Sequence, residues 1–172
     1  MNSDTMHQPG ADKEWNESFY FNFYDQAHDL CMFMRIGLKP NMDERSMFCF
    51  IMMPDGSVIG KKEMEVLGDG SLNVSSLRFH MLEPEKRWKL EFNGAMARME
   101  DKGPVPVKVK FSLEFESLTC LDSPLYFSTV GQTGSVSLFI EPPRVGASSG
   151  DAGQIQMTYA NKVVRHRKEL RR

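Results

Sequence analysis

The feature that most constrains this chain is a stretch between Val105 and Leu118 in which apolar and polar residues alternate from Val107 to Glu116. Its apolar positions are Val107, Val109, Phe111, Leu113 and Phe115. A period of two is that of a β-strand, because successive side chains of a strand point to opposite faces of the sheet. The polar face and the length of the stretch predict a bent strand of an antiparallel barrel.

A second stretch, from Trp15 to Met53, predicts three consecutive strands and carries many of the aromatic and sulfur-containing side chains. Leu30 to Ile36 is apolar on both faces except for Arg35, and Ser46 to Met53 is apolar on both faces, which predicts strands covered on both sides. Pro54-Asp55-Gly56-Ser57 follows as a turn. In the first strand the faces are Phe19, Phe21 and Phe23 on one side and Tyr20, Asn22 and Tyr24 on the other.

The remaining sequence adds shorter alternating runs separated by turn-forming residues, among them Asn93-Gly94, which is typical of a hairpin. With almost no helical periodicity, the chain is predicted to be all-β, an antiparallel lipocalin-like β-barrel. We predict the barrel domain over residues 14–161, after a disordered N-terminal tail over 1–13 and before a basic C-terminal tail over 162–172. Arg144 to Gly153 is predicted to be a loop at a ligand mouth.

Composition excludes several classes of function. The formal net charge of −2 argues neither for nor against an anionic partner, but only the last ten residues offer a localised basic patch, so we expect no nucleic-acid partner. No apolar run reaches the roughly 18 residues of an integral membrane segment, and the polar N-terminus lacks a secretory h-region, so we expect a cytoplasmic protein. Cys31, Cys49 and Cys120 are odd in number and widely spaced, which predicts neither a disulfide framework nor a zinc site. We therefore expect no metal and no cofactor.

Candidate ligand-binding residues follow from polar groups placed among apolar ones. Arg35 needs a partner in its apolar strand, because a buried unpaired charge is costly; either Asp25 or Glu17 or an anionic or carbonyl group of a ligand would serve. The tyrosine face of the first strand either orients a ligand in a cavity or faces water or a second domain. Trp88 is either a core residue or the floor of an apolar cavity. The candidates are Tyr20, Asn22, Tyr24, Phe33, Arg35 and Trp88.

Four motifs occur in order over about 80 residues. They are W-N-E-S-x-Y-x-N-F-Y-D over Trp15 to Asp25, R-I-G-x-x-P-N over Arg35 to Asn41, P-D-G over Pro54 to Gly56, and R-W-x-L-x-F-x-G over Arg87 to Gly94. In these motifs the chain resembles the lipocalin-like family of the carotenoid 1,2-hydratase (hydroxyneurosporene synthase) and AttH. Members of that family carry two barrels in tandem, and this chain has room for the first barrel only.

The resemblance implies binding of large apolar molecules, and relatives hydrate a polyene or close rings. It assigns no catalytic residue here, and the sequence holds no recognisable nucleophile motif. We therefore expect the barrel to bind an apolar or amphipathic small molecule, and leave open an isomerase, hydratase or cyclase activity on a polyene-like substrate. The alternative is a non-catalytic barrel that docks a second barrel or forms a homodimer.

Overall fold

The fold is taken from a computed structural model that describes residues 6–26, 28–84, 86–123, 126–141, 153–157 and 163–168, with side chains described up to Glu116. These residues form eleven strands and one 3₁₀ turn, Pro40–Met42, and contain no α-helix. The strands are β1 Glu17–Asp25, β2 Leu30–Lys39, β3 Glu44–Met52, β4 Val58–Val66, β5 Asn73–Val74, β6 Leu77–Glu83, β7 Arg87–Glu100, β8 Gly103–Ser123, β9 Tyr126–Glu141, β10 Gly153–Met157 and β11 Val163–Lys168.

All eleven strands belong to one antiparallel sheet, which confirms the predicted all-β class. Strands β1 to β4 pair consecutively, β7 pairs with β6 and β8, and β9 pairs with β8, β10 and β11. Strand β11 also pairs with β1. Strand β4 meets β7 over only two residue pairs, Ile59 with Arg98 and Gly60 with Ala97. This pairing shows the all-β class, and the finer assignment to a lipocalin-like barrel stays a prediction.

The period-two pattern places one face of β1, β2, β7 and β8 in the core. Phe21 is fully buried and lies at the centre of an aromatic cluster. Its ring centroid is 5.1 Å from that of Phe79, 5.7 Å from that of Trp88 and 5.6 Å from that of Phe115. The inner face of β1 is therefore packed against side chains of β6, β7 and β8.

The predicted hairpin turn at Asn93-Gly94 is wrong, because β7 runs straight through both residues and the turn to β8 comes after Glu100. Asn93 N donates a hydrogen bond of 3.1 Å to Ser76 O. A Cβ atom on Gly94 would collide with Ser76 Oγ. The glycine thus allows a close approach of the segment before β6 to a continuous strand, and does not form a turn.

Residues 6–13 make defined contacts that their polar composition did not predict. His7 approaches Glu17 through its backbone N–H and through Nδ1, at 3.4 Å and 3.2 Å. Asn41 Nδ2 donates to the carbonyl oxygens of Gly10 and Asp12, each at 2.7 Å. These bonds hold the segment against the ends of β1 and β2.

The predicted basic tail, residues 162–172, contains a strand. Val163–Lys168 forms β11, which pairs with β1 on one side and β9 on the other, for example Phe21 with Arg165. The strand order therefore extends beyond the predicted domain boundary at residue 161. The predicted loop Arg144 to Gly153 lies outside the described residues, except for Gly153 at the start of β10.

We expect side chains on the inner face of the sheet to contribute much more to the free energy of unfolding than those on the outer face. Substitutions of two phenylalanines test this expectation. Phe21 is 0% exposed on the inner face, whereas Phe50 is 37% exposed on the outer face. Phe21→Ala should lower the free energy of unfolding by about 3–5 kcal/mol through cavity formation, and Phe50→Ala by less than about 1 kcal/mol. Urea unfolding followed by circular dichroism measures both, and equal losses would contradict the assignment of faces.

Candidate binding surface

The outer face of β1 to β4 brings most of the candidate residues together. Four rows of directly paired residues cross the strands, and we call these 16 positions the aromatic face. Paired residues share a face of the sheet, so their side chains are neighbours. The positions are Ser18, Tyr20, Asn22 and Tyr24 of β1, Cys31, Phe33, Arg35 and Gly37 of β2, Ser46, Phe48, Phe50 and Met52 of β3, and Val58, Gly60, Lys62 and Met64 of β4.

Large apolar side chains of this face are open to solvent. Met52 is 47% exposed and Met64 is 66% exposed, and Phe50 is also exposed. The rings of Phe48 and Phe50 lie 5.6 Å apart, and Tyr20 meets Phe48 edge-on at 6.1 Å. Phe50 and Met52 are same-face neighbours on β3, and exposed apolar surface of this kind marks interaction sites in folded proteins.

Two glycines let side chains lie flat on this face. The ring of Phe50 covers the α-carbon of Gly60, where a Cβ atom would collide with it. The guanidinium of Arg35 covers Gly37 in the same way, since a Cβ atom there would lie 2.5 Å from Nη2. Both glycines sit inside strands, where they weaken the strand unless a close approach requires them. The Phe50 ring and the Arg35 guanidinium therefore lie flat against the sheet.

Arg35 of β2 is hydrogen-bonded to Ser18 of the neighbouring strand β1, and Ser18 is the ladder partner of Gly37. Its Nε and Nη2 atoms donate to Ser18 Oγ at 3.0 Å and 2.8 Å. Burial lowers the pKa of Arg35, because a less polar environment disfavours the charged form. Arginine nevertheless remains charged at neutral pH. It forms no ion pair with any residue whose side chain is described.

The predicted ion-pair partners of Arg35 lie on the other side of the sheet, so that pairing is wrong. Glu17 and Asp25 are buried on the inner face, at the two ends of β1. Asp25 Oδ2 lies 2.7 Å from His28 Nδ1, and Glu17 Oε2 lies 3.2 Å from His7 Nδ1. Odd-numbered residues of β1 cannot reach an arginine on the even-numbered side, because side chains alternate across the sheet.

Five of the six candidate residues share the aromatic face, and one does not. Tyr20, Asn22, Tyr24, Phe33 and Arg35 lie together across β1 and β2. Trp88 is 1% exposed in the core, with its ring 5.8 Å from that of Phe19. The interpretation of Trp88 as a core residue therefore agrees with its placement, and it is separated by the sheet from the other five.

The candidate list missed residues of β3 and β4 that complete the surface, namely Phe48, Phe50, Met52 and Met64. The signal for the first three was present, since Ser46 to Met53 is apolar on both faces. One face of that strand is buried, including Met47 and Cys49, so the other had to be apolar and outward. Met64 carried no comparable signal, because lysine and glutamate residues surround it in the sequence of β4.

The polar groups on the face are suited to binding and not to nucleophilic attack. Burial raises the pKa of Tyr20, and a hydrogen bond from its hydroxyl to Asp29, 3.2 Å long, raises the pKa of Tyr24. Burial also raises the pKa of the Cys31 thiol. All three groups therefore stay protonated at neutral pH. The described face offers apolar contact, hydroxyl and amide hydrogen bonds, and the positive charges of Arg35 and Lys62.

The fold and this surface define an antiparallel all-β protein with an apolar outer face. Residues 1–133 match the family model described as a domain of unknown function, DUF7064, and the chain belongs to this family. No curated protein and no solved structure matches the chain. In the described part of the chain, no helix has the length and apolar character needed to cross a membrane.

A double-mutant cycle tests the Arg35–Gly37 arrangement. Gly37→Ala should displace the guanidinium from Ser18 and lower the free energy of unfolding by about 1 kcal/mol, the scale of a charged hydrogen bond at a partly exposed site. In an Arg35→Ala background the same change should cost nothing, because the obstructed group is gone. Urea unfolding of the four proteins gives the coupling energy, and a value near zero would refute the contact.

Proposed function

We propose that this chain is a non-catalytic interaction module whose aromatic face docks against another β-sheet surface, with a second copy of the chain as the occupant. The observation that carries the proposal is the division of the sheet. The inner face of β1 is packed with aromatic rings, while Phe50, Met52 and Met64 are exposed on the outer face of the neighbouring strands. Sheets that pack face to face bury such alternating apolar residues.

The size of the aromatic face sets the expected strength of docking. Four strands about 4.8 Å apart and seven residues long, at about 3.3 Å per residue, cover roughly 450 Å². Two such faces together bury on the order of 900 Å², below the standard size of a stable complex and in the range of weak, transient interfaces. We therefore expect a dimer with a dissociation constant in the micromolar range.

Charge adds a second expectation. Arg35 and Lys62 are the charged residues among the 16 positions of the aromatic face. Two copies packed face to face bring these cations near each other without a carboxylate from the same face. Added salt screens such repulsion and should strengthen the dimer.

Matched methionine variants test the docking surface. Met52→Gln with Met64→Gln should weaken the dimer at least tenfold, because the polar amides replace apolar contacts that docking buries. The control replaces exposed apolar residues of other strands, Leu82→Gln with Met99→Gln, and should leave the dissociation constant unchanged. Sedimentation velocity across a concentration series measures both. A wild-type chain that stays monomeric at all concentrations would refute docking of a second copy.

A second candidate function is binding of an amphipathic small molecule, favoured by the absence of a counter-ion for Arg35 among the described side chains. The half-buried guanidinium of Arg35, which lies over Gly37, can pair with a carboxylate, while the rings of the ladder partners of Arg35, Tyr20 and Phe48, contact an alkyl or polyene chain. In this second proposal the ligand is apolar or amphipathic, as predicted from the sequence, and Arg35 is its polar anchor. The ligand would bind on the outer face of the sheet. Conversion of a polyene-like substrate remains a prediction without an assigned catalytic residue.

Laurate and dodecanol at concentrations below micelle formation test this second candidate. Laurate should shift the NMR signals of the aromatic face and of the Arg35 Nε–H group, and Arg35→Gln should weaken its binding about tenfold. Dodecanol should bind the wild type and the variant equally, because it lacks the charge. Equal binding of laurate to both proteins would exclude Arg35 as the anchor.

A further inference from the structure

A separate pocket lies on the sheet formed by β6, β7 and β8, away from the strands of the aromatic face. It has a volume of about 270 Å³, and its lining combines polar side chains with Phe92 and Phe111. Arg78, Glu91 and Ser112 form one row across the three strands. Lys110 and Asn93 form the next row, beside Ser76.

A glycine of β7 lets Ser76, one of the lining residues, lie close to this strand. Gly94 follows Asn93 in β7, and Ser76 Oγ occupies the place that a Cβ atom would take. The backbone N–H of Asn93 donates to the carbonyl oxygen of Ser76 at 3.1 Å, and both residues line the pocket. Ser76 and Asn93 thus add neutral hydrogen-bonding groups to a pocket that is also lined by Arg78, Glu91 and Lys110.

The charges in the pocket do not balance locally. Glu91 is engaged by neighbours on its own side, with Lys89 Nζ at 2.8 Å and His80 Nε2 at 3.3 Å. The hydrogen bond from Lys89 holds the pKa of Glu91 below its usual range. Arg78 pairs with Glu91 in the ladder, and its positive charge also contributes to the lowered pKa of Glu91. Neither Arg78 nor Lys110 forms a salt bridge with any described side chain. The pocket is therefore lined by two cations and one carboxylate, and that carboxylate already lies within salt-bridge distance of Lys89 and His80.

We propose that this pocket binds a small hydroxylated phosphate ester. A guanidinium and an ammonium on opposite strands provide the planar fork and the point charge that recognise a phosphate. The hydroxyls of Ser76 and Ser112 and the amide of Asn93 are the groups that pair with ligand hydroxyls. A volume of about 270 Å³ accommodates a three- to five-carbon ester and is smaller than sites for drug-sized ligands.

Isothermal titration with glycerol 3-phosphate tests the pocket, with inorganic phosphate, glycerate and glycerol as comparison probes. The phosphate ester should bind most tightly, glycerate more weakly because carboxylate carries less charge, and glycerol undetectably. Inorganic phosphate should bind more weakly than the ester because it lacks the hydroxyl contacts. Inorganic phosphate binding as tightly as the ester would overturn the assignment to a hydroxylated ester, and no binding by either would overturn the site.

Charge-matched variants locate the binding. Arg78→Gln and Lys110→Gln should each weaken glycerol 3-phosphate at least tenfold. Lys102→Gln removes the same charge from the turn between β7 and β8, and should change the affinity less than twofold. Equal weakening by all three variants would show general electrostatic attraction and overturn the pocket. The aromatic-face variants Met52→Gln with Met64→Gln should leave this affinity unchanged, so the outcome is independent of the docking proposal.

Discussion

The contact of Phe21 with Phe79, Trp88 and Phe115 is the interaction on which the described structure depends. It joins β1 to β6, β7 and β8, whereas the direct ladder between β4 and β7 contains only two residue pairs. A net backbone hydrogen bond contributes about 1 kcal/mol, and burying an aromatic ring contributes several times that amount. Packing across the interior therefore holds β1–β4 against β6–β8 more than the ladder between β4 and β7 does.

The inward packing of Phe21 also determines which side chains of β1 lie on the outer face of the sheet. Once Phe21 is inward, the side chains on either side of it along β1 must point outward, because a strand alternates its faces at every residue. Tyr20 and Asn22 therefore join the half-buried Arg35 on the outer face. The aromatic face is thus a consequence of the core, and the two glycines Gly37 and Gly60 adapt it by letting neighbours lie flat.

The sequence predicted the strands well because period two is a local signal. It did not say which face of β1 is inward, since phenylalanines alternate with tyrosines and both faces are aromatic. That choice depends on partners such as Trp88 and Phe115, more than 60 residues away in the chain. β11 was missed for a related reason. Its basic residues suggested a solvated end, whereas pairing with β1 makes it a strand. The Asn93-Gly94 signal failed because β7 continues through both residues in its pairing with β8, and the glycine serves the close approach of Ser76.

Arg35 discriminates between occupants of the aromatic face. Its guanidinium lies over Gly37 and is partly buried, and Ser18 Oγ accepts hydrogen bonds from two of its N–H groups. A partner that covers it with apolar atoms alone removes the remaining water without a replacement, which is unfavourable. A partner that brings a carboxylate gains a charge-assisted bond at a site that is already partly desolvated. Two copies of the face supply no carboxylate of their own, so docking over the whole face buries Arg35 without an ion-pair partner and weakens the dimer, whereas an amphipathic acid supplies that partner. The presence or absence of a carboxylate for Arg35 therefore separates the two functions.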